Sequence, residues 1–270
     1  MKLDYYKINP TGNISLIVET PVPRESQAAV AAALMAMDKD AEQVGFLEKT
    51  ESKNCLLRLQ MMGGEFCGNA SISVAALVLY LGKAEQGKKM AVNLEVSGSD
   101  EPVKVEACAC GGNRYTGTLN MPLPYSNFEC EFKCGNTIRK LPVVRFPGIA
   151  HAIVRSGIGK DEAESCIREW CRQLDSESLG LMFYDEKKGL LQPYVYVAPT
   201  DSAVWESSCA SGSTAVAAWA ALNRGESSSL SLRQPGGTLS AAAEIRHGAV
   251  LKLRLTGNAE IMGKFSVTVN

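Results

Sequence analysis

The chain carries no surplus of charge of either sign: 28 basic and 29 acidic side chains leave a formal net charge of −1. A nucleic-acid surface needs a clustered basic excess, so that class of partner is excluded. Long apolar runs are missing too. Stretches such as VAALVLYL (74–81) and AVAAWAAL (215–222) fall far short of the roughly 20 residues that a membrane-crossing helix requires. The opening MKLDYYKINPTGN has no apolar core of the signal-peptide kind, so a cytoplasmic location is expected. Histidine is scarce, with His151 and His247 alone, and no CxxC pairs occur. Structural zinc is therefore not expected, and the two histidines are assigned structural or surface roles.

What the chain does have is nine cysteines among 270 residues, with 46% hydrophobic and 21% charged content. That composition is globular. Disulfide frameworks belong to short secreted chains, so reduced thiols are expected here, most of them acting as small core hydrophobes. The pairs Cys108-x-Cys110, Cys130-x3-Cys134 and Cys166-x4-Cys171 resemble metal spacings but lack partner histidines.

The chain also repeats itself. GGEFCGNASISVAALVLYLG (63–82) is answered by ESSCASGSTAVAAWAALNRG (206–225), each a cysteine, a small polar turn and an apolar run. The likeness extends outward. Alternating apolar strands at 11–20 and 147–157 are each followed by an amphipathic helix, at 24–39 and 160–174. Short apolar strands with acidic exits follow (44–49 and 181–187), then a strand leading to each cysteine (55–62 and 193–199). Strand–turn–strand units come after each cysteine helix, at 94–107 and 230–245, and further strands at 114–122 and 250–259. The fold class is therefore α+β. Two homologous, pseudo-symmetric half-domains are expected, with helices packed on or inside mainly β structure. The N-terminal half covers 1–123, joined by a last strand at 263–270, and the C-terminal half covers 124–262. The boundary falls in the proline-interrupted MPLPYSNFEC (121–130).

The cysteine turns point to chemistry. Helices are expected over Ser71–Leu81 and Ser213–Leu222, stopping near Gly82 and Gly225. Cys67 and Cys209 then lie at the positive ends of helix dipoles, a position that lowers a thiol's pKa. Backbone N–H groups in the same turns form an anion site. If the two turns share one amino-acid carboxylate in a cleft between the halves, the thiols flank its α-carbon. One thiolate removes the α-proton while the opposing thiol delivers a proton to the other face. The N–H groups stabilise the charge that develops on the carboxylate, and no cofactor is required.

At these residues the chain resembles the cofactor-independent amino-acid racemases and epimerases of the diaminopimelate epimerase fold. FCGNA and SCASGSTA are similar to that family's two catalytic motifs, and PTGN (10–13), EQVGF (42–46), QPGGTL and LTGNAE to its pocket segments. The resemblance covers nearly the whole chain. It implies two α/β domains, each a curled, mostly antiparallel sheet around the cysteine-bearing helix. It also implies Cys67 and Cys209 as the acid/base pair, with the N–H groups of Gly68, Asn69, Ala210 and Ser211 holding the α-carboxylate. Asn13, Gln43 and the Asn69 side chain fall on its pocket positions.

Departures narrow the substrate. Diaminopimelate epimerases carry Glu-Arg where this chain has Thr200 and Asp201, and Gly-Asn-Pro-His where it has GIAH, with Ile149 in place of Asn. The missing arginine fork argues against a distal carboxylate. NPTGN, EQVGF, EFCGNA, MFYDE, LQP and the Trp205-Glu206-x-Ser208-Cys209 approach resemble the histidine racemases of staphylopine-type metallophore synthesis. The implied activity is L-histidine to D-histidine, with Glu206 accepting the α-ammonium or an imidazole N–H. The partner expected is a small amino acid, with no membrane, no metal and no cofactor; a homodimer is compatible with the sequence. The alternatives are diaminopimelate epimerisation, racemisation of another small amino acid, and a non-catalytic thiol or metal-binding protein.

Overall fold

A computed structural model describes residues 1–269 of the chain. It divides into two compact units, Met1–Asn120 with the chain from Thr256 onward, and Met121–Leu255. The sequence placed these divisions at 123/124 and 262/263.

The first unit contains β1 (Lys2–Asn9), β2 (Ser15–Val18), α1 (Arg24–Met37), β3 (Gln43–Glu48), β4 (Leu57–Met61), α2 (Gly68–Leu81), β5 (Lys89–Val96), β6 (Val103–Gly111) and β7 (Arg114–Met121). These strands neighbour one another in chain order. β2–β3 and β4–β5 are parallel, the crossovers being α1 and α2, and the remaining pairs are antiparallel. A long strand, β16 (Ala249–Thr268), bonds to β7 and to β1, so the sheet closes on itself. The expected separate last strand is the end of this one, running antiparallel to β1 from Glu260 to Thr268.

α1 buries Gln27, Val30, Ala31 and Leu34, the i, i+3, i+4, i+7 stripe of a helix lying on a sheet. Val30, Ala31 and Leu34 pack with Leu3, Leu16, Val44 and Phe46. α2 differs. Every residue from Gly68 to Leu77 is buried, as a helix apolar on all sides must be. Gly117 of β7 permits the close approach, because a Cβ there would come within 2.9 Å of Ile72.

The second unit opens with a hairpin, β8 (Ser126–Cys134) and β9 (Thr137–Phe146), turning at Gly135 with φ +56°. It continues with β10 (Ile149–Val154), α3 (Lys160–Gln173), β11 (Ser178–Asp185), β12 (Leu190–Val197), β13 (Ser202–Trp205), α4 (Ala210–Arg224), β14 (Ser228–Gln234) and β15 (Gly237–Arg246), and ends with the first residues of β16. The strand order is β8-β9-β10-β11-β12-β14-β15-β16, and β13 pairs with β12. β10–β11 is parallel around α3, and β12–β14 is parallel around α4. α3 buries Ala163, Cys166, Ile167, Trp170 and Cys171 at helical spacing, while α4 is buried continuously from Gly212 to Ala221.

One expectation needs correction. Cys134 and Cys166 are not reduced thiols: they form a disulfide between β8 and α3, with Cα atoms 5.7 Å apart. That spacing is what such a bond requires, and it follows from packing Trp170 of α3 against Phe132 of β8. α2 ends at Leu81 with Gly82 as its C-cap, as expected; the φ of Gly82 is −75°, and Lys83 takes the positive φ. Gly225 does end α4 in the left-handed conformation. No helix among the described residues is long and apolar enough to cross a membrane.

Candidate active site

α2 and α4 begin at Gly68 and Ala210, earlier than their apolar runs suggest, so the small polar residues form the first helical turn itself. Cys67 and Cys209 are the N-cap residues, both with extended backbone. Each sulfur accepts the third N–H of its helix: Ala70 N donates to Cys67 Sγ at 3.4 Å, and Gly212 N to Cys209 Sγ at 3.4 Å. Each carbonyl accepts the next N–H, from Ser71 and Ser213 at 3.0 Å. Helix geometry aims the N–H groups of Gly68, Asn69, Ala210 and Ser211 out of the N-termini, where an anion is favoured.

In the first unit, Cys67 is held from two sides. Its thiol donates to Gln43 Oε1 at 3.0 Å. The Gln43 amide is itself fixed, because Nε2 donates to Ser15 Oγ at 2.8 Å and to Asn13 Oδ1. Asn13 in turn donates to Glu42 Oε2 at 2.6 Å. Asn13 ends a turn in which Thr11 and Gly12 have φ of 58° and 92° and Gly12 N is capped by Asn9 Oδ1. The segment before Cys67 is anchored by Ser97, whose hydroxyl donates to Glu65 O at 2.8 Å and accepts from Met61 N at 2.9 Å. Gly98 (φ +71°) lies so close to the Phe66 backbone that a Cβ would meet its nitrogen at 2.3 Å. Asn13, Gln43 and Cys67 are therefore one connected group, with Gln43 gripping the thiol. Asn69 is buried in the first turn of α2.

In the second unit, Cys209 N donates to Gln234 Oε1 at 2.9 Å, and Gln234 Nε2 donates to Ser213 Oγ at 2.9 Å. Ser213 Oγ closes the circuit by donating to Cys209 O at 2.6 Å. Ser211 Oγ lies 3.5 Å from Cys209 Sγ and 3.0 Å from His151 Nε2. Gly212 sits tightly among its neighbours: a Cβ would fall 2.1 Å from Met182 Sδ and 3.2 Å from Cys209 Sγ, so the methionine side chain would have to move.

The Cys209 pKa is not lowered as the sequence suggested. Burial pushes this thiol well above its ordinary range, and the neighbouring Glu206 carboxylate pushes it further. The N–H of Gly212 and the hydroxyl of Ser211 oppose this without overcoming it. A partial helix charge is small beside the loss of hydration of a thiolate. Of the two histidines assigned structural or surface roles, His151 is the buried one: it is fully buried beside Ser211, and burial lowers its pKa to about 3. His247 does occupy an exposed turn, with φ 51°. Asp201, which stands where diaminopimelate epimerases carry arginine, pairs with Arg168 at 2.7 Å and accepts from Tyr196.

Glu42, Ser15, Gln234 and Gly212 were not singled out from the sequence. Gln234 was visible as the first residue of QPGGTL, and Gly212 as the only residue without a side chain in SCASGSTA.

The chain matches a family described as "Histidine racemase CntK N-terminal domain" over residues 2–267. A histidine racemase of Fusobacterium nucleatum subsp. nucleatum is 33% identical over 228 residues, covering 79% of this chain and 80% of the relative. A histidine racemase of Staphylococcus aureus is 27% identical over 244 residues, covering 88% and 87%. Among solved structures, a hydroxyproline epimerase from Agrobacterium vitis, with bound trans-4-OH-L-proline, shares the fold. It has a TM-score of 0.69, covers 98% of this chain and 92% of its own, and is 13% identical.

Proposed function

We propose that this chain, which belongs to the histidine racemase family, interconverts L- and D-histidine with Cys67 and Cys209 as an acid/base pair and without pyridoxal phosphate. The amino-acid racemase class follows from the family. The observation that supports the two-cysteine reading is the matched setting of the thiols. Each caps a buried helix and accepts that helix's third N–H. Each has a further polar partner that fixes its position, Gln43 for Cys67 and Ser211 for Cys209.

In this reading the α-carboxylate binds the N–H groups of Gly68, Asn69, Ala210 and Ser211. One cysteine, as thiolate, takes the proton from Cα, and the bonding pair passes into the carboxylate. The other cysteine, as thiol, gives its proton to the opposite face. The sulfurs finish with exchanged protonation states and return through solvent. Glu206 accepts the substrate's α-ammonium or an imidazole N–H. An ammonium placed there also offsets the carboxylate charge that opposes ionisation of Cys209.

The same ladder types follow in the same order in both units: antiparallel, parallel, antiparallel, parallel, antiparallel. That order supports reading them as duplicated, pseudo-symmetric halves. The resemblance to the staphylopine-type subgroup supports metallophore synthesis as the use of D-histidine.

The test is a panel of L-amino acids incubated with the reduced protein and no added cofactor, followed by chiral separation. Histidine should racemise and diaminopimelate should not. Racemisation of another amino acid in preference to histidine moves the substrate assignment. Racemisation of none overturns the enzyme reading.

A further inference from the structure

The three short-spaced cysteine pairs of the sequence have no part in the racemase reading. The disulfide takes one member from two of them, because Cys134 and Cys166 are bonded to each other. Cys108 and Cys110 remain as the pair in which both thiols are free. They lie on β6, in the first unit.

Along β6, Val103, Val105, Ala107 and Ala109 are buried, so the alternate residues face outward. Cys108 is half-buried and Cys110 is exposed. The ladder to β7 then breaks. Ala109 stands opposite Tyr115 and Gly111 opposite Arg114, which leaves Cys110 as the extra residue of a bulge. Gly111 supplies a positive φ there, +87°. A bulge re-aims the side chain it carries. The Cys110 sulfur lies 3.6 Å from the Cys108 carbonyl oxygen and 4.0 Å from Thr116 Oγ1. Thr116 is the residue directly across from Cys108 on β7, and opposite residues of an antiparallel pair share a face. The second sulfur is thus drawn back toward the first. Lys89 of β5 stands across from Cys108 on the other side. Glu106, the next outward residue along β6, pairs with Lys104 at 3.5 Å.

Among the described residues no three of His, Cys, Asp or Glu form a metal cluster, so the four ligands of a structural zinc site are not assembled here. Two thiolates alone suit a different ion. Sulfur is a soft ligand that selects Cu(I), and that closed-shell cation is satisfied by two sulfurs in line. The histidines whose scarcity argued against zinc are not needed.

We propose that Cys108 and Cys110 form a surface site for a soft monovalent cation, Cu(I), bound between their two sulfurs. On binding, each thiol gives its proton to solvent and each sulfur forms one bond to copper, whose oxidation state does not change. The complex carries one net negative charge, and Lys89 across the strand offsets it. Ala107 and Ala109 hold the inner face, so the ion enters without opening the core. The site needs nothing from the racemase reading and stands or falls apart from it.

The test uses the whole protein, its free thiols reduced, in the absence of oxygen, with Cu(I) supplied in a coloured complex with a competing chelator. Loss of colour counts the copper that the protein takes. Other thiols can take copper as well, so the count is compared with that of Cys108→Ser, Cys110→Ser and the double variant. Each single variant should hold one equivalent fewer than the unmodified protein. The double variant should lose no more than either, because one thiolate cannot close a two-sulfur site. Thermal unfolding should be alike in all four proteins, which separates loss of copper from loss of fold. An equal copper count in the unmodified protein and the double variant overturns the proposal. So does Zn(II) held in the same stoichiometry and lost in the same variants.

A second measurement needs no substitution and decides if a variant fails to fold. Cu(I) at saturation should protect Cys108 and Cys110 together from alkylation, read by peptide mass. Protection of neither, or of one alone, overturns the site.

Discussion

The Cys67 thiol donates to Gln43 Oε1 at 3.0 Å, and the same amide's Nε2 donates to Ser15 Oγ at 2.8 Å and to Asn13 Oδ1. One side chain thus fixes the sulfur and satisfies two buried polar groups. Gln43→Met keeps the volume and removes all three bonds. Leaving buried acceptors without donors costs about 1–3 kcal/mol, so thermal unfolding should come earlier, and racemisation should fall through kcat because the thiol is no longer aimed. A variant with normal stability and normal kcat would show that the clamp is incidental.

Gly212 leaves the space through which its own N–H reaches Cys209 Sγ at 3.4 Å. In Gly212→Ala the added carbon lies 2.1 Å from Met182 Sδ and 3.2 Å from Cys209 Sγ. Overpacking of this kind costs about 1–3 kcal/mol. Calorimetry should show that loss, and Met182→Ala in the same chain should restore stability more fully than activity, because the clash with the sulfur remains.

The Cys134–Cys166 disulfide closes 32 residues of chain. In the chain-entropy account a loop of this length contributes about 3.5 kcal/mol. Cys134→Ser with Cys166→Ser should lower the unfolding free energy by that order, measured by denaturant titration. Neither cysteine touches the groups around Cys209, so racemisation below the unfolding transition should persist. Loss of activity in a fully folded double variant would contradict this.

His151 gives the protein an acid sensitivity. Its folded pKa, about 3, lies below its ordinary 6.5. Between those values the unfolded chain binds a proton that the folded chain does not, so stability falls as pH drops through that window. Integrated over the shift, the loss approaches roughly 5 kcal/mol near pH 3. Unfolding free energy against pH should lose this component in His151→Gln. An unchanged profile would place the acid sensitivity elsewhere.

The sequence showed most clearly the elements whose physics is local. α1 and α3 bury residues at i, i+3, i+4 and i+7, and the stop at Gly225 needs a conformation that glycine adopts readily. The hairpin of β8 and β9 was less legible. β8 alternates Phe128, Cys130, Phe132 and Cys134 with Glu129, Glu131 and Lys133, but its first residues fall in the proline-interrupted stretch that reads as a boundary. The hairpin's Gly135-Asn136 turn was the available signal. The Cys134–Cys166 bond could not be read from spacing, because it depends on α3 packing against β8. In the site, helix capping predicted the place of both sulfurs. It could not predict that burial and Glu206 would outweigh the dipole at Cys209, or that His151, 60 residues before Ser211, would meet its hydroxyl. Those are tertiary contacts between residues that share no pattern.

The central claim is that two separate cysteines serve the two faces of one α-carbon. The direct measurement is racemisation of protiated L-histidine in deuterated water, sampled at early conversion with substrate and product separated. Two single-proton bases predict D-histidine that carries deuterium at Cα while unreacted L-histidine keeps its hydrogen, with Cys67→Ser and Cys209→Ser each abolishing conversion. Deuterium entering recovered L-histidine as fast as it enters the product, or conversion that survives either substitution, would contradict the account.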